Sequence, residues 1–198
     1  MKNLFFLTVA VALTAVFAGC NKNMDAPEVG VTIAGVTWAT RNVDAPGKFA
    51  NNPQDAGMFY QWNRKKGWPA TGTVTGWPTT PASGSVWAAA NDPCPTGWHI
   101  PTLTDVEKLF AATVTKMFGT YDGVYGVYFG TAPDRIFLPA AGVYDMDGIL
   151  VHASTDFGYW SCTQNNDSYA YGFVGNEYYG LAVSYGSKTD GLSLRCVK

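Results

Sequence analysis

Only one segment of the chain, "PTLTDVEKLFAATVTKMF" at 101–118, repeats its apolar residues at helical spacing, and it sits among 22 glycines and 11 prolines. Glycine is costly inside regular elements and proline breaks helices, so a helical bundle is excluded. Short antiparallel strands, many turns and one main helix remain, an α+β fold. Pro101 ends the preceding extended segment, and Thr102 is a suitable N-cap with Asp105 three residues on. Thr104 with Glu107 is a competing capping box. Leu103, Val106, Phe110 and Met117 mark the apolar face, and the helix is predicted over about 102–118.

Strand signals surround this helix. "GVTIAGVTWATRNV" alternates apolar with small or polar residues and places the first strand or two within 31–43. "DAPGKFANNPQDAG" reads as a loop, and "MFYQW" at 58–62 as a short aromatic strand. Residues 63–93 form a Thr, Pro, Gly and Ser segment punctuated by Trp68, Trp77 and Trp87. Loops of this length are uncommon without a purpose. The indoles either pin the loop by burying their area, or Trp68 and Trp77 form a platform on which sugar rings stack. Asp122-Gly123 and Asp147-Gly148 are tight-turn signals. The C-terminal part carries three or four short antiparallel strands, with Tyr171 and Phe173 sharing a core face by alternation.

The N-terminus, "MKNLFFLTVAVALTAVFAGC", has an early lysine, an apolar run and small residues before a cysteine. Residues 1–19 are expected to be a lipoprotein signal peptide, although Phe17 stands where leucine is usual. Cys20 then becomes the lipid-bearing first residue, 20–30 a flexible tether, and 31–198 a single domain. More than one acyl chain holds a protein stably at a membrane, so the partner expected here is the membrane of the cell envelope, most naturally the outer one. The 47% hydrophobic and 15% aromatic content supplies a large core, whereas 14% charge and a net charge of −2 without a basic cluster argue against nucleic acid. An extracytoplasmic address permits disulfides. Besides Cys20 the chain has Cys94, Cys162 and Cys196, an odd number that leaves one over.

The fragments "VTWATRNV", "DAGMFYQWNRK", "PCPTGWHIPT", "IFLPAAG", "GYWSCTQ" and "GLSLRCVK", in this order, resemble the Fibrobacter succinogenes major paralogous domain family over about residues 35–198. The resemblance implies a fold like that of the C-type lectins and the formylglycine-generating enzymes: an irregular α+β body with long loops, its two chain ends close together. It also implies a Cys94–Cys196 disulfide, which on chain entropy stabilises by roughly 4 to 5 kcal/mol. Cys162, where the family more often has serine, is then the unpaired thiol. Pairings of Cys162 with Cys94 or Cys196 are the alternatives, and Cα separation decides among them.

Catalysis is not expected. The copper-dependent chemistry of formylglycine-generating enzymes needs two closely placed cysteines, whereas Cys162 and Cys196 lie far apart in sequence. Zinc needs clustered Cys and His, yet His99 and His152 are the only histidines. His99 is read as a strand residue bonding neighbouring backbone, and a His152–Asp156 pair across a turn is weak as an acid/base site. No cofactor is expected. Calcium lacks its motif, since neither a Glu-Pro-Asn nor a Gln-Pro-Asp loop is present, "DMDG" has no downstream glutamate at the required offset, and "NNDS" at 165–168 reads as a solvated turn.

The recognition surface is placed in "TQNNDSYAYGFVGNEYYGLAVSYGSKTDG", whose Tyr, Asn, Ser and Gly content matches that of paratopes. Its candidate ligand-binding residues are Asn165, Asn166 and Asp167 in one loop, Asn176, Glu177, Tyr178 and Tyr179 in another, with Tyr185 and Lys188. The expected function is that of a lipid-anchored envelope protein binding a glycan or protein ligand. The alternatives are a structural or tip subunit partnered with fimbrial subunits, and a receptor-binding protein diversified by a retroelement.

Overall fold

Among the described residues pairing begins early: β-branched Val31–Ile33 (β1) folds back on Val36–Trp38 (β2) through a turn at Ala34-Gly35, both at positive φ. A computed structural model describes residues 28–71 and 74–198. The expected signal peptide, Cys20 and most of the expected tether lie outside the described residues. Glu28, within the stretch expected as tether, is bonded to the fold. Its carboxylate accepts the Thr40 N–H and hydroxyl, each at 2.5 Å, and pairs with Arg41 at 2.7 Å.

Further strands are Phe59–Gln61 (β3), Gly67–Trp68 (β4), Lys116–Tyr121 (β5), Val124–Thr131 (β6), Asp134–Pro139 (β7), Val143–Tyr144 (β8) and Leu150–Val151 (β9). Phe157–Gln164 (β10), Tyr169–Asn176 (β11), Gly180–Ser187 (β12) and Gly191–Leu192 (β13) complete them. Every sheet pair is antiparallel. Two meanders, β5-β6-β7 and β10-β11-β12, flank a five-stranded sheet of order β4-β3-β13-β8-β9. Asp122 and Gly123, with φ of 48° and 78°, form the predicted tight turn between β5 and β6.

The helix (α1, Leu103–Leu109) is much shorter than predicted. Its start agrees: Thr102 and Asp105 cap each other reciprocally. Its end differs because β-branched Thr113, Val114 and Thr115 disfavour helix, and Lys116 closes the turn by donating to the carbonyls of Phe110, Ala111 and Val114. Met117 is therefore no helix-face residue. It lies on β5 opposite Tyr128 and is exposed.

The C-terminal segment threads between these parts. Lys198 and Val197 pair with Thr37 and His99, and Cys196 is joined to Cys94 over a separation of 102 residues with Cα atoms 6.1 Å apart. Pro95 to Trp98 make a turn, closed by Trp98 N–H on Pro95 C=O at 2.9 Å. Ile100 enters the core, whereas the His99 ring faces solvent and only its backbone is bonded. Arg195 is buried without a carboxylate partner; it donates instead to Asn42 Oδ1 and the carbonyls of Ala39 and Phe137. Such a cation is tolerable only because its donors are matched. Cys162 is a free thiol packed against the buried cluster that holds Trp62, Trp87 and Trp160, and burial pushes its pKa up, away from reactivity.

Candidate functional site

Three segments converge on an open cleft of about 940 Å³. The β11–β12 turn supplies Asn176, Glu177, Tyr178 and Tyr179; the loop between β9 and β10 supplies His152, Ser154, Thr155 and Asp156; β6 supplies Tyr125. The turn spans three residues, Glu177 to Tyr179, and is closed by Gly180, the first residue of β12, which at φ 79° takes the left-handed conformation. Asn176 Oδ1 accepts Tyr179 N–H at 2.9 Å and fixes the turn from within. This leaves Tyr178 and Tyr179 projecting, 87% and 83% exposed, their rings edge-on at 4.7 Å.

The opposing wall is strained. His152 and Ser154 adopt φ of 55° and 70° without being glycine, a conformation that costs free energy and clusters at functional sites. The loop is held there by backbone bonds, Ser154 N–H to Ala140 C=O and Gly142 N–H to Asp156 C=O, each 2.9 Å. The His152 carbonyl accepts from Thr155 N–H, Thr155 hydroxyl and Asp156 N–H. The His152–Asp156 link expected from sequence is thus made by backbone. The Asp156 carboxylate instead accepts from Asn176 Nδ2 at 3.2 Å, tying the two walls together.

On the third side Tyr125 donates its hydroxyl to Glu177 Oε2 at 2.8 Å. Removal from water, then the Glu177 bond and charge, push the Tyr125 phenol up to about 12. Its ring stacks near Phe118 and Phe157, so Glu177 is anchored through an aromatic group rooted in the core. The cleft therefore offers two exposed aromatic faces beside two positioned carboxylates, an amide and an imidazole. Large apolar area with a few convergent polar groups is the pattern of a recognition site.

The remaining sequence-predicted residues lie elsewhere. Asn165, Asn166 and Asp167 sit in the β10–β11 turn at the opposite end of the meander, about 25 Å away by the rise of an eight-residue strand. There Asn166 Oδ1 accepts the N–H groups of Ser168 and Tyr169, closing the turn on itself. Tyr185 lies on β12 toward the β10–β11 end, 56% exposed, edge-on to Tyr169 and Tyr171. Phe173 is core as predicted, but Tyr171 is only half-buried.

Lys188 is not on the surface. It is 1% exposed, with Nζ 4.3 Å above the Trp62 ring and donating to Gln164 Oε1 and Gly84 C=O. Desolvation draws its pKa down, opposed by the Asp167 charge. Trp68 and Trp77 form no open platform either. Trp68 is buried between Trp77 at 5.0 Å and the Lys66 ammonium at 3.7 Å. Trp77 stacks on Tyr144, donates to Thr189 C=O, and fills space that Gly148 and Gly191 leave by lacking a side chain. Trp87 is buried against Trp62, so the indoles pin their loop.

Sequence reasoning missed Tyr125, Ser154 and Thr155. Tyr125 carried no signal, since alternation in "YDGVYGVYFG" says which face a residue shares and not which loop it meets. Two left-handed non-glycine residues in "HAS" are likewise invisible in composition. Among the described residues no three His, Cys, Asp or Glu side chains gather closely enough to hold a metal ion. No family model, no curated protein and no solved structure matches the chain.

Proposed function

We propose that this is a lipid-anchored cell-envelope protein whose domain, C-type-lectin-like in kind, recognises a glycan or protein ligand without catalysis at the cleft between the β11–β12 turn and the strained loop after β9. The observation that carries this is the Tyr178–Tyr179 pair, exposed on a turn braced by Asn176, Asp156, Glu177 and Tyr125. Rigid aromatic groups that give contact area at low entropic cost suit recognition, and a turn held from three sides loses little further freedom on binding. The kinship of fold is supported by one capped helix, long pinned loops, the C-terminal segment bonded alongside Thr37 and Ala39 at the start of the domain, and the Cys94–Cys196 bridge.

The test probes the full chain on a glycan array and on immobilised mucin, with calcium and with chelator. The expected result is saturable binding that falls at least about tenfold, or ~1.4 kcal/mol, in Tyr178→Ala/Tyr179→Ala. Binding unchanged by that double substitution would remove the cleft from the account.

A further inference from the structure

The β10-β11-β12 meander has one covered edge and one bare one. On the β10 side the C-terminal segment closes the edge, with Ser193 N–H on Gly158 C=O at 2.9 Å and Trp160 N–H on Ser193 C=O at 3.2 Å. On the β12 side no strand follows among the described residues. The direction of each peptide group along β12 is fixed by three bonds near its end. Lys188 N–H donates inward to Ser168 C=O at 2.9 Å, and Ser187 turns the other way, its N–H on the Asp190 carboxylate at 3.1 Å and its C=O accepting Asp190 N–H at 2.9 Å. The register with β11 is unbroken from Asn176↔Gly180 to Tyr169↔Ser187. Alternation then points the N–H and C=O of Tyr185, Val183 and Leu181 away from β11. Among the described residues nothing hydrogen-bonds to them on that side.

We propose that this edge is a self-association surface, at which two copies of the chain pair antiparallel through β12 about a two-fold axis at Val183 and continue the sheet. The free run is bounded, by the Asp190 cap at one end and the turn at Gly180 at the other. It is symmetric about Val183, so the axis sets Leu181 opposite Tyr185 of the second copy and Val183 opposite itself. Each of these pairs can exchange two N–H···O=C bonds. The sequence between, "GLAVSYGS", has no charge and no proline, the devices by which sheet edges ordinarily repel one another. A neutral edge meets its own copy without like charges opposed. Leu181 of one copy falls on the face where Tyr185 and Tyr169 stand exposed and edge-on, an apolar–aromatic cross-strand pair.

Sedimentation of the full chain over a wide concentration range tests this. A monomer–dimer equilibrium is expected, with amide exchange at Val183 and Tyr185 slowing as the dimer fills while that of Ser184, already facing β11, stays constant. Val183→Pro removes an outward donor that an edge strand can spare, and Ala182→Lys, at an exposed position, sets like charges beside the axis. Each raises the dissociation constant at least about tenfold with the far-UV circular dichroism unchanged. Should the proline variant misfold, Ala182→Lys decides alone. A wild-type chain that stays monomeric throughout, leaving the edge to a strand of some other protein, would overturn the proposal, as would a dimer indifferent to Ala182→Lys.

Discussion

The two turns of the β10-β11-β12 meander are built from the same kinds of residue and end in opposite states. At the β10–β11 end, "NNDS" folds its amide onto its own backbone, and beneath it Lys188 is sealed between Trp62 and the oxygens of Gln164 and Gly84. At the β11–β12 end, "NEYY" also closes on itself, Asn176 Oδ1 accepting Tyr179 N–H, but Asn176 Nδ2 and the Glu177 carboxylate bond in addition to Asp156 and Tyr125 on neighbouring segments, and two tyrosines are left in solvent. The difference lies in those outward bonds. A turn bonded only to itself is a closure, whereas one tied also to its surroundings can hold its apolar groups outward as a rigid surface.

Under the proposed function this contrast makes the closed end a matter of stability and the open end a matter of binding. The largest effect is expected for Trp62→Ala, which removes a fully buried indole and its bond to Ser161 C=O. It should cost about 4 kcal/mol in urea unfolding, and a loss under ~1 kcal/mol would mean that the closed end is not packed as described. Lys188→Ala strips the packed stem from Trp62 and orphans two acceptors, and about 2 kcal/mol should be lost. A neutral outcome would return Lys188 to the surface.

The cap on β12 should show in pH dependence. Burial chiefly, then the Asp145 charge, lift the Asp190 carboxyl to about 6 against a bond from Ser187 N–H that lowers it. The unfolded carboxyl releases its proton near 3.8, so between 3.8 and about 6 the folded chain binds more protons and stability falls as pH rises. Asp190 is partly open to solvent, which screens the effect to about 1 kcal/mol. Asp190→Asn, still able to accept from Ser187, should flatten this slope across pH 4 to 7 in thermal unfolding; a slope that persists would assign it to other carboxylates. The smallest stability effect is expected at the open end. Tyr178→Ala and Tyr179→Ala should each stay within about 0.5 kcal/mol of the parent in the same urea titration, and a larger loss would make these rings structural.

How much of this was legible beforehand follows from which forces are local. The capping pair Thr102–Asp105, the Asp122-Gly123 turn and the strand at 59–61 depend on neighbours in sequence, and each stands where its residues placed it. The disulfide implied by the family resemblance is also present. Helix length was misread because Lys116 caps the chain from beyond the last turn and Met117 answers to a strand partner, Tyr128. Asn176 to Tyr179, singled out by composition, do line the cleft, but the same composition also drew in Asn165 to Asp167, which strand length carries to the far end. Lys188 misled for a related reason: a lysine reads as surface unless its partners are known, and Trp62, Gly84 and Gln164 are distant in sequence. Tyr125, His152 and Asp156 reach the cleft by tertiary placement alone.

The most direct test sets one end of the meander against the other in a single binding measurement. On whichever array glycan or mucin binds the parent protein, Tyr178→Ala/Tyr179→Ala is compared with Asp167→Ala, an exposed substitution in the closed turn. The account predicts a loss of at least about tenfold for the tyrosine pair and less than about twofold for Asp167→Ala. A loss confined to Asp167→Ala, or the same loss in both, would contradict it.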